Sequence, residues 1–347
     1  MSEPVSPLEG AALTPEGIAA ELHEAGIIDF RLTQCVALTG GTASRVAALS
    51  RPGSVPQVVV KLNAPAVIQA EALFLRTYGA SPLLPPLRHV DPAHRFLVCD
   101  FVSGVHIRYG EDRVDVAEVL LTLVRDLLSR YVPCALPAPA DRQDKIAPVA
   151  ELLEPADEGA GSPPISEKTS ESGTTNRTNL AWPQFLGEHV AYRHKRLGSY
   201  LPAEDLRLVE HLARAPRRTE QTPLSLLHGD CGAHNFLFQQ QSGHPGPLHA
   251  VLDPYPLVGY PIFDLAFAFV SWPNDLDLEA ILPAAEALRA SSRWLPNGDP
   301  RRILCEEVLI ALYKRMGTCM VHHPRDLPAY LAAWPRWRRL AAPRPVT

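Results

Sequence analysis

Leu227-His228-Gly229-Asp230-Cys231-Gly232-Ala233-His234-Asn235-Phe236-Leu237 is followed, after a polar stretch, by Val251-Leu252-Asp253-Pro254. Apolar runs at Phe236 to Phe238 and at Leu248 to Leu252 read as two strands, with Gln239 to Pro247 as the turn between them. A hairpin of this kind folds Asp253 back toward Asp230 and Asn235, so three oxygen-bearing side chains converge. Gly229 and Gly232 let the backbone bend around Asp230. Two plainer readings stand beside this one. Asp230 can end a strand and Asn235 terminate a turn, which are common uses of both residues. His228, Cys231 and His234, spaced three apart, can also be drawn as a metal site, although no fourth ligand is evident.

Downstream, Gly259-Tyr260-Pro261-Ile262-Phe263-Asp264-Leu265-Ala266 completes the pattern. His-Gly-Asp with Asn five residues after the Asp resembles the catalytic loop of aminoglycoside phosphotransferases and the related choline and fructosamine kinases. Asp253 is similar to their metal-binding aspartate, and residues 259–266 resemble their Gly-x-Pro-x-x-Asp-Leu-Ala segment. The resemblance implies an α+β, two-lobed protein-kinase-like fold, with a small antiparallel-sheet N-lobe carrying one helix and a mainly helical C-lobe. It also implies transfer of the γ-phosphoryl of ATP, or of GTP, to a hydroxyl of a small molecule. Such transfer asks the protein for positioning and charge neutralisation rather than covalent chemistry. On this reading Asp230 orients the hydroxyl or takes its proton, while Asn235 and Asp253 hold Mg²⁺. His228 and Asp264 support the loop: His228 through ring hydrogen bonds, Asp264 as the cap of a buried helix and, by resemblance, a brace for the loop. His234 reads as a variable position. Tyr260 stands where many relatives have Asp, and the run from Asp253 to Asp264 is one residue shorter than the commonest form. Asp253-Pro254 with this shorter run is more similar to the streptomycin-type branch, which places weight on a hydroxylated acceptor, sugar-containing ones included.

Working upstream, Leu38-Thr39-Gly40-Gly41-Thr42-Ala43-Ser44 falls between two expected strands. It is similar to the family's phosphate-covering loop, in which Gly40, Gly41 and Thr42 bring backbone and hydroxyl donors to phosphate. Lys61 ends the apolar strand Val58-Val59-Val60, and Glu71 follows ten residues later in a helical run. That order matches the lysine that holds the α- and β-phosphates and the glutamate that orients it. Phe96 to Gly104 resembles the hinge, where backbone groups near Asp100 to Val102 meet the adenine edge.

The expected strands of the first part are Thr33 to Thr39, Arg45 to Leu49, Gln57 to Leu62 and Arg95 to Cys99, interrupted by a helix over Ala66 to Tyr78. A helix over Thr14 to Gly26, capped at Thr14, precedes them. After Gly104 helical spacing dominates, with helices expected over Trp182 to Tyr200, over Ala203 to Ala213 and beyond Phe263. Residues 133–178, rich in Pro, Ala, Ser, Glu and Gly, read as a flexible insertion. The organisation is therefore residues 1–29 as an N-terminal helical extension, 30–99 as a nucleotide-binding lobe, 100–104 as a hinge and 105–347 as a helical lobe.

Among the 347 residues, 46% are hydrophobic and 20% charged, enough for a sizeable core, and the net charge of −5 disfavours nucleic acid or an anionic membrane as partner. Six dispersed cysteines and an N-terminus without a basic-then-apolar pattern fit a cytoplasmic protein with no obligatory protein partner. Asp275, Asp277, Glu279, Glu306 and Glu307 are candidates for holding a cationic acceptor, against the plainer reading of solvated helix surface. A catalytically silent nucleotide-binding protein of the same fold is the alternative function.

Overall fold

Val58-Val59-Val60-Lys61-Leu62 is β-branched on three successive positions, which suits a strand buried on both faces. It forms β3 (Val58–Leu62), the middle of a five-stranded antiparallel sheet. The others are β1 (Gln34–Leu38), β2 (Arg45–Ser50), β4 (Leu87–Val90) and β5 (Phe96–Asp100), in the order β1-β2-β3-β5-β4. Lys61 lies opposite Val46 on one side and Leu97 on the other, so its register is set by two neighbours. The structure, a computed structural model, describes residues 14–28, 34–38, 44–107, 112–133, 190, 193–194, 196–214, 224–242, 244–291 and 298–342.

Two compact units divide the chain. The first comprises residues 1–72 and 86–102 and holds the sheet. Helix α1 (Pro15–Glu24) starts at Thr14, whose hydroxyl accepts the Gly17 N–H at 3.1 Å. It lays Ile18, Ala19 and Leu22 against Leu49, Val58, Val60, Leu62, Phe96 and Val98. Helix α2 (Pro65–Tyr78) follows β3. Strand β4 was not foreseen: Leu87-Arg88-His89-Val90 is short, half-buried and bulged against β5, so it lacks the alternation that marks a strand.

The second unit comprises residues 73–85 and 103–347 and is mainly helical. Its helices are α3 (Val116–Asp126), α4 (Ala203–Ala213), α5 (Pro261–Phe269), α6 (Leu278–Ala290), α7 (Pro300–His322) and α8 (Leu327–Ala341). Every residue of α5 is buried, as expected of a helix apolar on all sides. Long α7 packs against α5, α4 and α8. Arg315 on α7 donates Nε to the Tyr330 hydroxyl of α8 at 3.2 Å, and Trp334 of α8 donates Nε1 to Asp205 of α4 at 2.7 Å.

Two small antiparallel pairs carry the loops that matter below: β6 (Ser225–Leu227) with β9 (Leu257–Gly259), and β7 (Phe236–Gln240) with β8 (Pro245–Val251). The second is the expected hairpin with a shorter connection, since the ladder runs on to Gln240 opposite Pro245. The first pair went unforeseen because each strand is only three residues long. Of the expected helix over 182–200, residues 190, 193–194 and 196–197 are helical and 198–200 form a turn, while 182–189 lie outside the described residues, as does most of the expected insertion; Pro133, its first residue, bridges to Ser225.

Candidate active site

Strand β6 delivers the chain into His228-Gly229-Asp230, where the backbone reverses. Gly229 has φ +78°, and a Cβ there would stand 1.9 Å from the Tyr255 carbonyl oxygen. No other residue fits that approach. The contact is fixed from the other side, because Tyr255 N–H donates to the His228 carbonyl at 2.7 Å. A single 3₁₀ turn, Ala233–Asn235, then returns the chain into β7.

Asp264 sits beneath this loop, fully buried, in the first turn of α5. It does not cap its helix: the N-cap is Tyr260, which makes no side-chain cap bond. The expected cap is thus corrected, because Asp264 lies inside the helix and its carboxylate faces the loop. Oδ2 accepts the His228 N–H at 2.7 Å and the Tyr131 hydroxyl at 2.8 Å, and Oδ1 accepts the Gly229 N–H at 3.0 Å. Burial pushes the carboxyl up to about 6, with these three donors acting against it.

The buried His228 ring donates Nε2–H to the Leu252 carbonyl at 3.0 Å. Burial pushes its pKa down to about 4, so the ring is neutral at pH 7. Phe74 and His228 meet edge to face at 5.5 Å between centroids. His228 therefore tethers the strand end that precedes Asp253 rather than facing a metal. Among the described residues no cluster of His, Cys, Asp and Glu is arranged to hold one through the 228/231/234 set.

Asp230 projects from the bend with its side chain 40% exposed. Its Oδ2 meets His234 Nε2 at 3.1 Å and Asn235 Nδ2 at 3.2 Å. Burial acts to raise its pKa, yet the His234 hydrogen bond and the charges around it, Lys314 among them, outweigh burial. The carboxyl is held well below the usual carboxylate range. His234, expected as a variable position, is thus a direct partner of Asp230.

Asn235 is buried and gives Nδ2 to the Asp230 carbonyl at 2.9 Å as well as to its carboxylate. With the amide nitrogen occupied, Oδ1 is left as an acceptor. The Asn235 carbonyl accepts the Leu252 N–H at 2.8 Å, which ties Asp253 to the same loop. Asp253 itself adopts φ +52°, a left-handed conformation uncommon for a residue with a side chain and frequent where function aims one. An amide oxygen and a carboxylate held on one backbone tether are a hard-oxygen set that fits Mg²⁺.

The first unit carries the remaining candidates. Lys61 Nζ and Glu71 Oε2 stand 2.8 Å apart, with side chains 9% and 5% exposed. Burial, followed by the nearby Glu71 charge, pushes the neighbouring Cys99 thiol up to about 12. Asp100 pairs with Arg88 through its carboxylate and gives its N–H to the Pro86 carbonyl, while Phe101 gives its N–H to Gln57. Those two backbone donors are occupied within the unit; Val102 makes no such bond among the described residues. Gly40, Gly41 and Thr42 lie outside the described residues.

Of the acidic candidates, Glu306 and Glu307 are buried rather than solvated, because α7 is surrounded by other helices. Glu306 pairs with Arg302 at 3.0 Å, and Asp277 caps α6 and pairs with Arg336 at 2.9 Å. Three residues near Asp230 were missed in the sequence. Tyr131 lies 133 positions from its partner Asp264. Tyr255 and Lys314 carry no local pattern, and only the folded backbone brings them to the loop.

Residues 93–303, well over half of the chain, match the sequence profile described as "Phosphotransferase enzyme family". The chain belongs to that family. No curated protein matches it. Among solved structures it is similar to a putative aminoglycoside phosphotransferase from Ralstonia eutropha JMP134, at TM-score 0.54 and 14% identity, covering 94% of this chain and 98% of that one. A putative fructosamine-3-kinase from Thermobifida fusca gives TM-score 0.52 and 19% identity, with 94% and 99% covered. A thermostable mutant of aminoglycoside phosphotransferase APH(4)-Ia, in ternary complex with ADP and hygromycin B, gives TM-score 0.51 and 16% identity, with 94% and 99% covered. At these identities the likeness establishes the fold, and the fold of this phosphotransferase-family chain is the α+β, kinase-like one.

Proposed function

We propose that this chain transfers the γ-phosphoryl group of ATP to a hydroxyl of a small molecule. The observation that carries the reading is Asp230: an exposed carboxylate held anionic, on a backbone bend braced by a buried acid, between His234 and Asn235. A carboxylate so far below the usual range is a weak base in the ground state. Its work is to orient the acceptor hydroxyl and to take the proton as the new O–P bond forms, when that proton becomes acidic.

Asn235 Oδ1 and the Asp253 carboxylate would hold Mg²⁺, which supplies neutralisation of phosphate charge. Lys61, oriented by Glu71, would hold the α- and β-phosphates, with Gly40, Gly41 and Thr42 covering them and Val102 meeting the adenine edge beside Asp100. In the proposed organisation residues 30–99 bind nucleotide, 100–104 form a hinge and 105–347 carry the catalytic loop and the acceptor site. GTP in place of ATP is a variant of the same proposal, as is a cytoplasmic location without an obligatory protein partner. The nucleotide and antibiotic in the APH(4)-Ia complex support the substrate types.

The test is a coupled assay of ADP release with ATP and Mg²⁺ against amino alcohols, sugars, aminocyclitols, hydroxy acids and phosphate esters. A compound that stimulates release with formation of its phosphate ester is the expected result. No stimulation by any compound, together with no shift of melting temperature by ATP or GTP, would overturn the reading.

A further inference from the structure

The charge of Lys314 acts on the candidate catalytic aspartate, and the way this lysine is held bears on the acceptor. Helix α7 carries its side chain, part-buried, to the catalytic loop, where Nζ lies 3.4 Å from the Gly229 carbonyl oxygen. Below it are two α5 rings, Phe267 at 4.2 Å and Phe263 at 5.2 Å from Nζ, stacked on one another at 9°. A carbonyl and two ring faces position an ammonium without neutralising it. Lys314 makes no ion pair among the described residues. The charges it feels are Asp230 and Asp264 on one hand, Arg193 and Arg315 on the other, and burial, the largest influence, pushes its pKa down to about 8.

A second donor stands at the same loop. Tyr255, whose backbone is locked to His228 and packs on Gly229, has a buried hydroxyl with no hydrogen-bond partner among the described residues. A phenol carries its proton at neutral pH, so this hydroxyl is a donor. An ammonium held only by one long carbonyl contact and two ring faces, and a phenol without a protein acceptor, beside a carboxylate already supplied with His234 and Asn235, fit a ligand that brings its own anionic oxygens. The acidic side chains suited to a cationic acceptor are largely engaged elsewhere, Glu306 with Arg302 and Asp277 with Arg336.

We propose that Lys314, with the Tyr255 hydroxyl, binds an anionic group on the acceptor, so that the substrate is a hydroxylated carboxylate or phosphate ester rather than a polycationic aminosugar. The inference rests on Asp230 receiving the acceptor hydroxyl. A nucleotide phosphate offers the same chemistry, but on the proposed function Lys61 and the metal ligands already serve it.

The deciding measurement needs no turnover. Lys314 in the wild-type protein is acetylated with acetic anhydride at about pH 8, where a substantial fraction of its amine is neutral, and its modification is followed by peptide mass spectrometry. Glycerate, gluconate and glucose 6-phosphate are tested for protection against glycerol, glucose, choline and streptomycin, with and without Mg²⁺ and a non-hydrolysable ATP analogue. Protection by an anionic compound without nucleotide, and not by its neutral counterpart, is the expected result. No protection by any anionic compound, protection by choline or streptomycin, or protection that appears only with nucleotide overturns the proposal. In the ADP-release assay, Lys314→Met should raise KM for a protecting compound by about tenfold or more, and Lys314→Arg should recover most of it. An unchanged KM in Lys314→Met also overturns it. Anion protection with neither ADP release from any compound nor a shift of melting temperature by ATP or GTP would leave the binding site standing and remove the phosphotransfer reading.

Discussion

The buried carboxylate of Asp264 accepts the backbone N–H of His228 at 2.7 Å and that of Gly229 at 3.0 Å, across 36 and 35 positions of sequence. With the Tyr131 hydroxyl at 2.8 Å this side chain satisfies three donors at the root of the candidate catalytic loop. Replacing it by alanine leaves those donors buried without an acceptor and should cost about 2–5 kcal/mol. Tyr131→Phe removes the hydroxyl's bond to Asp264 and its share of the His228 N–H at 3.1 Å, and should cost about 1–2 kcal/mol. Urea unfolding of both variants compares the two losses, and equal small losses would deny Asp264 its bracing role.

Gly229 offers a backbone test. With φ +78° and the Tyr255 oxygen in the way, Gly229→Ala should either fail to accumulate as folded protein or lose about 2–4 kcal/mol with loss of activity. A variant melting with wild type would mean that the bend is not held as described.

Asp230→Asn should reduce phosphotransfer by about a thousandfold or more while changing stability little, since the side chain is 40% exposed and the amide keeps the shape. Nucleotide should still raise its melting temperature. Turnover near the wild-type rate would remove Asp230 from the chemistry.

Lys61 and Glu71 are nearly inaccessible and 2.8 Å apart, so truncating one removes a close opposite charge from the other in a buried place. Glu71→Ala should destabilise by about 3–5 kcal/mol and raise KM for ATP, and Lys61→Met, Glu71→Met together should recover part of that stability without recovering ATP use. A double-mutant cycle in chemical unfolding reads the coupling. Additive losses would show that the pair is not coupled.

His228 predicts a pH effect. Its pKa is about 4 when folded and 6.5 when unfolded, so between those values the unfolded chain binds more protons. Stability from this ring is complete above about pH 6.5 and is lost as pH falls toward 4, by roughly 3 kcal/mol at most. Asp264, raised to about 6, acts with the opposite sign over the same range. His228→Gln keeps a donor for the Leu252 carbonyl and removes the titration, so its melting temperature should fall less steeply on acidification than that of the wild type. Parallel profiles would show that the ring is not buried neutral.

Strands β2, β3 and β5 and helices α1, α2 and α4 were readable in the sequence to within one or two residues, because each carries its own period or cap. The three-residue β6 and β9 were not, since three residues hold no period and their pairing is set by the chain on either side of the hairpin. The acidic residues of α7 misled for a related reason: Glu306 and Glu307 look solvated in a helical sequence, and only the packing of α4, α5 and α8 around them removes water.

Local order along the chain carries the motif on which the proposed reaction rests. His228-Gly229-Asp230 with Asn235, Asp253 and Asp264 in sequence, and Lys61 followed by Glu71, are spacings that one short loop, one hairpin and one strand-helix step convert directly into geometry. Tertiary structure alone decided what surrounds Asp230. Tyr131 beneath the loop, Tyr255 against Gly229 and Lys314 above the α5 rings come from distant segments, and their charge and hydrogen-bonding state follow from burial. Burial and long-range proximity are properties of the packed chain and leave no period in a sequence, which is why the motif behind the proposed reaction could be read along the chain and the surroundings of Asp230 could not.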